Sequence, residues 1–300
     1  MDASVIAMTE PLCLLSVHAH PDDEASKGAG TVARYHAFGV RTVLVTCTGG
    51  EEGEILNPAV DTPENHANLA KVRREELERA AEIIGYDELV MLGYRDSGMA
   101  DSEANLHPES FAQAPLEEAV ERLVRIIRQV RPQVVVTYPE EQSGYRHPDH
   151  LRVHEISVLA FEAAGDPDQF PLAGTPFTPS KLYYSVWAKD QFLSRHAKFV
   201  EMGLESPYSE GLFTAWFERE EIPSTTRIDI RGFTEIRREA LLAHQTQIDP
   251  TSNFWFGLPA EIEDEVFSYD LYSLAKSNVS AIDSQEDDLF VEVAATTHLC

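Results

Sequence analysis

Short apolar runs alternate with amphipathic helical patterns through the first half of this 300-residue chain, and this alternation constrains the fold most strongly. The apolar runs have the length of buried strands and span residues 12–17, 42–47, 89–92 and 134–137. Helical patterns lie between them, at about 26–38, 67–84 and 115–130. Repeated βα units predict a parallel sheet with right-handed crossovers. We therefore predict an α/β fold with a Rossmann-like, mostly parallel, doubly wound sheet.

The second half of the chain has a less regular pattern. Helices are predicted at 150–164, near 189–201 and at 234–245, and strands at 181–187 and 225–230. We expect a Rossmann-like catalytic core over residues 1–165 and a smaller C-terminal α/β layer over 166–280 that closes the active-site cleft. Residues 281–300 are acidic and carry few signals of regular structure, so a flexible tail is predicted there.

Charge and cysteine content restrict the partners and the compartment. The formal net charge is −27, from 24 basic and 51 acidic residues, which disfavours nucleic acid and anionic membranes as partners. No apolar run approaches the ~20 residues of a membrane-spanning helix. The three cysteines, Cys13, Cys47 and Cys300, form no CxxC pair, and the N-terminus lacks the basic region of a secretory signal. We expect a cytoplasmic protein with a small-molecule substrate, and the sequence leaves its oligomeric state open.

Two histidine-rich runs follow predicted strands of this sheet. His18-Ala19-His20-Pro21-Asp22-Asp23-Glu24 comes after the first strand, and His147-Pro148-Asp149-His150 comes after the fourth. Ligands bind at the carboxyl edge of such sheets, where both runs should lie. A single histidine beside a proline is most often a hydrogen-bonded turn residue, but two such runs together favour a metal site.

The spacing within these runs suggests how the residues divide the work. His20 and Asp23 can face one point across the proline-containing turn, and His150, in the first turn of a helix, can complete a His₂Asp set. Three protein ligands and an open position are typical of catalytic zinc sites. Asp22 projects differently and can move a proton. The donor set accepts Zn²⁺, Fe²⁺, Mn²⁺ or Co²⁺; Zn²⁺ is the expected ion, and Fe²⁺ is the alternative.

The pair HAHPDDE and HPDH resembles the PIG-L/LmbE-like metal-dependent de-N-acetylases and amidases, over about residues 11–280. The resemblance implies that His20, Asp23 and His150 bind the metal and that Asp22 is the general base. It further implies that His147 stabilises the oxyanion and protonates the leaving amine. Asp149 would orient His147, and Tyr145 would help to bind the oxyanion.

Several flanking segments are similar to the mycothiol branch of this family: TCTGGEEGE (46–54), the arginine of VRREEL (Arg73), YRDSGM (94–99) and HQTQ (244–247). In that branch Arg73 and Asp96 would hold hydroxyls of the glucosaminyl-inositol. Ser26-Lys27, KLYY, GLESPY and QIDP resemble the amidases of the branch, and Lys27 would meet a larger, more polar substrate. The alternative for Lys27 is an exposed lysine in the first turn of a helix.

The resemblance therefore implies hydrolysis of the amide bond of mycothiol S-conjugates, which yields glucosaminyl-inositol and an acetylcysteine conjugate. Deacetylation of N-acetylglucosaminyl-inositol in mycothiol biosynthesis is the alternative. A non-haem iron oxygenase also uses two histidines and one carboxylate, but it is usually an all-β barrel and has no use for Asp22. A nucleotide-binding module is disfavoured because the first strand–helix turn lacks GxGxxG and carries carboxylates instead. The sequence does not define roles for Glu51, Glu52 and Glu54.

Overall fold

The computed structural model describes residues 11–140, 145–208, 221–280 and 285–293. The strands within them are β1 (Cys13–His18), β2 (Arg41–Thr48), β3 (Glu88–Tyr94), β4 (Val134–Thr137), β5 (Lys181–Val186), β6 (Thr226–Asp229) and β7 (Tyr269–Ser277). They form one sheet of order β3-β2-β1-β4-β5-β7-β6. Strands β1 to β5 pair in parallel, whereas β7 is antiparallel to both β5 and β6. The predicted α/β fold with a mostly parallel sheet is confirmed.

Helices cover both faces of this sheet. They are α1 (Asp23–Ser26), α2 (Ala29–Ala37), α3 (Pro63–Ala67), α4 (Leu69–Ile84), α5 (Leu116–Val130), α6 (Pro148–Ala163), α7 (Lys189–Glu201), α8 (Thr234–Ala243), α9 (Asn253–Phe256) and α10 (Ala260–Val266). Leu15 and Val17 of β1 share a core with α5 and α6, whereas Leu14 shares a core with α2 and α8. A strand that is buried on both faces explains why β1 is apolar without alternation.

The helix predicted at about 26–38 is divided into α1 and α2 at Gly28. Gly28 has φ 91°, a left-handed conformation, and a Cβ at this position would lie 2.7 Å from the Tyr272 hydroxyl. Strand β7, which carries Tyr272, was not predicted because its residues are mostly half-buried and show no clear alternation. Strands β5, β6 and β7 extend the main sheet, so the second half of the chain is continuous with the first.

The prediction of a flexible tail is wrong for residues 285–293. Leu289 and Phe290 are buried, and the Phe290 ring lies 5.2 Å from that of Tyr35. The carboxylate of Glu286 accepts a 2.8 Å hydrogen bond from Lys181 Nζ at the start of β5. The sequence did not predict these contacts because Leu289 and Phe290 are two apolar residues within an otherwise acidic segment. The rest of the predicted tail, 281–284 and 294–300, lies outside the described residues.

The sheet order places the two histidine-rich runs side by side. β1 and β4 are neighbours, but the chain leaves β1 toward β2 and leaves β4 toward β5, on opposite sides. Such a reversal opens a crevice beyond the carboxyl ends of the two strands. Both runs lie at this crevice. Among the described helices, none has the length and apolar composition needed to cross a membrane.

Candidate active site

Three predicted metal ligands converge in the crevice. The ligand atoms of His20, Asp23 and His150 all lie within 4.8 Å of one another. Asp23 Oδ2 is 3.7 Å from His20 Nδ1 and 3.4 Å from His150 Nε2. Tetrahedral ligands about 2.0–2.2 Å from a zinc ion stand roughly 3.3–3.6 Å apart. The side chains therefore fit a divalent cation with little rearrangement.

The surroundings favour the ligating forms of Asp23 and His150. Burial lowers the pKa of His150 to about 4, so its imidazole is neutral at pH 7 and can donate a lone pair to a metal. Burial alone would raise the pKa of Asp23, but Lys27 and His150 hold it well below the usual value. Lys27 Nζ lies 2.5 Å from Asp23 Oδ1. Lys27, predicted to bind substrate, thus contacts a predicted metal ligand while it also lines the cavity.

The second ring nitrogen of His20 faces carboxylates. His20 Nε2 lies 3.1 Å from Asp149 Oδ2 and 3.6 Å from Asp96 Oδ1. Burial lowers the pKa of His20, but these two carboxylates outweigh it and raise the pKa to about 10. Asp149 is fully buried and also accepts hydrogen bonds from the backbone N–H of Ser97, at 3.0 Å, and from its hydroxyl. A carboxylate behind a metal-binding histidine fixes the orientation of its ring.

Asp149 contacts both His147 and His20. Its backbone N–H donates a hydrogen bond to His147 Nδ1, and its carboxylate binds His20 and Ser97, so its role in orienting His147 stays a prediction. His20, Asp96, His147 and Asp149 form a second group with metal-ligand spacing. Asp149 is absent from the cavity wall, however, whereas His20, Asp23 and His150 all line it. His20, Asp23 and His150 therefore remain the predicted metal ligands.

Asp22, the predicted base, has a strained backbone. Its φ is 113°, in the left-handed region that non-glycine residues rarely adopt. Such strain costs of order 1–3 kcal/mol and concentrates at functional sites. The Asp22 side chain is 28% exposed and lines the cavity. Burial raises its pKa, opposed by the nearby Arg73, and a raised pKa favours proton transfer near neutral pH.

Arg73 braces the loop that carries Asp22. Its guanidinium donates to the carbonyl of Pro21 at 2.5 Å, to Asp22 Oδ2 at 3.0 Å and to the carbonyl of Gly50 at 2.6 Å. A Cβ on Gly50 would lie 2.4 Å from the guanidinium carbon, so this loop requires glycine there. Arg73 and Asp96 both line the cavity, and their predicted contacts with substrate hydroxyls remain predictions. Asp96 accepts a 2.9 Å hydrogen bond from the backbone N–H of Gly98.

A buried pair that the sequence did not reveal lies behind Asp22. Glu24 Oε2 accepts a 3.0 Å hydrogen bond from the backbone N–H of Asp22, and Glu24 Oε1 lies 2.5 Å from His244 Nε2. The side chains of Glu24 and His244 are both 0% exposed. Glu24 lies in the motif HPDDE and His244 lies in HQTQ. Both motifs stood out in the sequence, but the sequence does not show that these two side chains pair. Together with Arg73, this pair holds the strained turn.

His147 and Tyr145 lie where they can donate hydrogen bonds to a substrate. His147 is the N-cap of α6, and its Nδ1 accepts a 3.2 Å hydrogen bond from the Asp149 backbone. Burial and the neighbouring His20 lower the pKa of His147, so the neutral ring carries its proton on Nε2. Tyr145 is 58% exposed, and its ring lies 6.0 Å from that of His147. Burial raises the pKa of Tyr145, so its hydroxyl keeps its proton.

Two further histidines, His18 and His154, contact Tyr138. His18 Nδ1 lies 3.1 Å from the hydroxyl of Tyr138, and burial lowers the pKa of His18 to about 4. His154 Nδ1 lies 3.0 Å from the carbonyl oxygen of Tyr138. Tyr138, which the sequence did not single out, stacks on His150 with ring centroids 4.7 Å apart. These side chains support the site from behind.

The site opens into a cavity of about 870 Å³. Ligand pockets in proteins range over about 300–1,000 Å³, so this cavity is near the upper end. Its wall combines the ionisable residues above with aromatic rings from α7, from α9 and from the segments that follow β5 and α7. Glu52 and Glu54 also line it.

Known proteins share both the sequence and the fold. The family PIG-L, described as GlcNAc-PI de-N-acetylase, matches residues 15–161. A mycothiol S-conjugate amidase from Streptomyces coelicolor is 44% identical over 95% of this chain and 99% of its own length. A 1D-myo-inositol 2-acetamido-2-deoxy-alpha-D-glucopyranoside deacetylase from Geodermatophilus obscurus is 37% identical over 94% of this chain and 98% of its own.

Among solved structures, an N,N'-diacetylchitobiose deacetylase from Pyrococcus horikoshii superposes with a TM-score of 0.60 and 17% identity. The match covers 89% of this chain and 85% of the other, and it shows a shared fold. The sequence identity to the amidase and to the deacetylase extends along almost the whole chain, which similarity of fold alone would not produce. The chain therefore belongs to the PIG-L family of metal-dependent hydrolases that act on amide bonds of amino sugars.

Proposed function

We propose that this protein is an amidase that hydrolyses mycothiol S-conjugates to glucosaminyl-inositol and an acetylcysteine conjugate. The observation that carries the proposal is the site of His20, Asp23 and His150 on a cavity of about 870 Å³, near the upper end of the range of ligand pockets. The 44% identity to an amidase with this activity supports it. Deacetylation of the acetylated glucosaminyl-inositol is the second candidate, supported by the 37% identical deacetylase.

His20, Asp23 and His150 would hold one divalent cation, with Zn²⁺ favoured over Fe²⁺. When bound, such a cation polarises a carbonyl group and lowers the pKa of water. Lys27 would stabilise the charge of Asp23 and lie close enough to the cavity to meet the acyl part of the substrate. Arg73 and Asp96 would bind hydroxyls at the sugar end.

Asp22 would take the proton from the attacking water. Its strained turn aims the carboxylate at the cavity, and its raised pKa suits a base that must also give the proton back. The Nε2–H of His147 and the hydroxyl of Tyr145 would donate hydrogen bonds to the carbonyl oxygen as it gains negative charge. The Nε2–H of His147 is available as a donor because Nδ1 accepts a backbone N–H.

The leaving amine needs a proton, and Asp22 is the better source. The family resemblance assigns this step to His147. To donate a proton from Nε2 as an imidazolium, His147 would carry a second proton on Nδ1. That proton would face the backbone N–H of Asp149, whose hydrogen bond Nδ1 now accepts. Burial also lowers the pKa of His147, which disfavours the imidazolium. We infer that Asp22, protonated by the water, passes the proton to the amine while His147 stays neutral.

The decisive test offers the purified, metal-loaded protein two substrates side by side. One is a bimane S-conjugate of mycothiol, and the other is N-acetylglucosaminyl-inositol. We expect a higher kcat/KM for the conjugate. A higher kcat/KM for the acetylated precursor would overturn the amidase proposal in favour of the deacetylase.

A further inference from the structure

Part of the cavity is lined by five aromatic side chains, here called the aromatic wall: Trp187, Phe192, Tyr208, Phe254 and Trp255. Successive rings are in contact. The centroid distances along the wall are 5.2 Å from Trp187 to Phe192, 5.6 Å to Tyr208, 6.1 Å to Phe254 and 4.8 Å to Trp255. Aromatic rings 4.5–7 Å apart in tilted or edge-to-face pairs attract one another. The wall is therefore one continuous surface built from segments distant in sequence.

The wall is held in place from behind. Phe192 and Tyr208 are 3% and 5% exposed, whereas Trp187, Phe254 and Trp255 are half-buried. The buried Arg195 donates a 2.7 Å hydrogen bond from Nη1 to the Tyr208 hydroxyl. The same guanidinium binds the carboxylate of Glu263, with Nη2 2.5 Å from Oε1. A surface fixed in this way loses little conformational freedom when a ligand binds.

Another part of the cavity wall is charged. It carries Asp22, Arg73 and Asp96 beside the predicted metal ligands. Trp187 directly follows β5, which is parallel to β4, so the wall begins at the same edge of the sheet as the site. The cavity thus joins a polar region suited to a sugar with an apolar region suited to a flat ring.

We propose that the aromatic wall binds the S-substituent of the substrate and selects conjugates in which this substituent is aromatic. This inference rests on the proposed function. It adds the chemical class of the S-substituent, which leaves the enzyme as part of the acetylcysteine conjugate. A ring stacked on the wall gains apolar burial and an aromatic contact together. These predict a preference of about tenfold over a small substituent.

The test uses two mycothiol conjugates that differ only at sulfur, S-methyl and S-naphthylmethyl. For the wild-type enzyme we expect a KM about tenfold lower for the naphthylmethyl conjugate. Trp187→Leu and Phe254→Leu should remove most of this difference, because they should raise the KM for the naphthylmethyl conjugate several-fold more than the KM for the S-methyl conjugate. The S-methyl conjugate reports whether the variants are folded and loaded with metal.

Phe256→Leu is the matched control. Phe256 lies on α9 beside the wall but packs with the core behind the sheet, and Arg238 stacks on it with its guanidinium carbon 4.7 Å from the ring centroid. This change should leave the ratio of the two KM values as in the wild type. Equal KM values for both conjugates in the wild type, or equal losses for both in Trp187→Leu and Phe254→Leu, would refute the aromatic wall as a binding site.

The same assay separates the two proposals. If the wild-type enzyme cleaves only N-acetylglucosaminyl-inositol and neither conjugate, the proposed function fails, and the aromatic wall fails with it. If it cleaves both conjugates with equal KM, the amidase proposal stands, and only the role of the wall is lost.

Discussion

Replacing His244 by leucine should destabilise the protein strongly, because it leaves the carboxylate of Glu24 buried without its histidine. The two side chains are 0% exposed and 2.5 Å apart. Removal of one partner of a buried ion pair costs about 3–5 kcal/mol. At about 2.1 cal/mol/K per residue, the unfolding entropy of 300 residues is about 0.6 kcal/mol/K. The expected fall in Tm is therefore about 5–8 °C, measurable by scanning calorimetry.

The pH dependence of this loss follows from the two pKa shifts. Burial lowers the pKa of His244, but the attraction of Glu24 is larger and raises this pKa above 6.5. The stability that His244 contributes is therefore fully present below pH 6.5 and is lost as the pH rises through the raised pKa. Burial raises the pKa of Glu24, but His244 outweighs it and holds the pKa below 4.5. Its share is present above pH 4.5 and lost as pH falls through the lowered value. The difference in Tm between wild type and His244→Leu should be largest between pH 4.5 and 6.5.

The double variant Glu24→Gln/His244→Leu is the control. Glutamine removes the buried charge and keeps an oxygen that can accept the Asp22 N–H, so the double variant should be more stable than His244→Leu alone. A fall in Tm of less than about 2 °C for His244→Leu at pH 6 would contradict the reasoning. So would a double variant that is less stable than the single one.

Two other substitutions test the supports of the site. Ser97→Ala removes the hydroxyl that binds Asp149 behind His20, and we expect metal affinity to fall by about 10–100-fold while the fold is retained. Metal titration with a competing chelator measures this affinity. An unchanged affinity would show that the Ser97 hydroxyl does not support the metal site. Lys27→Met removes the cation 2.5 Å from Asp23 Oδ1. We expect a change in metal affinity as well as in KM, and a change confined to KM would restore the sequence-based role of Lys27 as a substrate contact alone.

The metal-binding motifs were predictable because the carboxyl ends of parallel strands lie at one edge of the sheet, so motifs that follow such strands lie near one another. HPDD and HPDH each follow a buried strand, and parallel strands end at one edge, so His20, Asp23 and His150 had to meet if β1 and β4 were neighbours. The apolar runs that define these strands are buried on both faces and therefore stand out in the sequence.

The supports of the site were not predictable in the same way. Glu24 and His244 are 220 positions apart, and Asp149 and Ser97 are 52 apart. The sequence does not distinguish a buried acidic residue that forms an ion pair from an acidic residue exposed to solvent, because only the folded structure shows the partner. The same ambiguity led to the incorrect flexible tail, because Glu286 reads as a surface residue until Lys181 is placed beside it.

Metal content and turnover in two variants test most directly whether His20, Asp23 and His150 bind a catalytic metal and Asp22 acts as the base. Asp22→Asn should keep about one metal ion per chain. It should lose turnover by about 10²–10⁴-fold, the usual contribution of a general acid–base group. His150→Ala should lose the metal together with the activity. Near wild-type turnover in Asp22→Asn, or a full equivalent of metal in His150→Ala, would contradict the assignment.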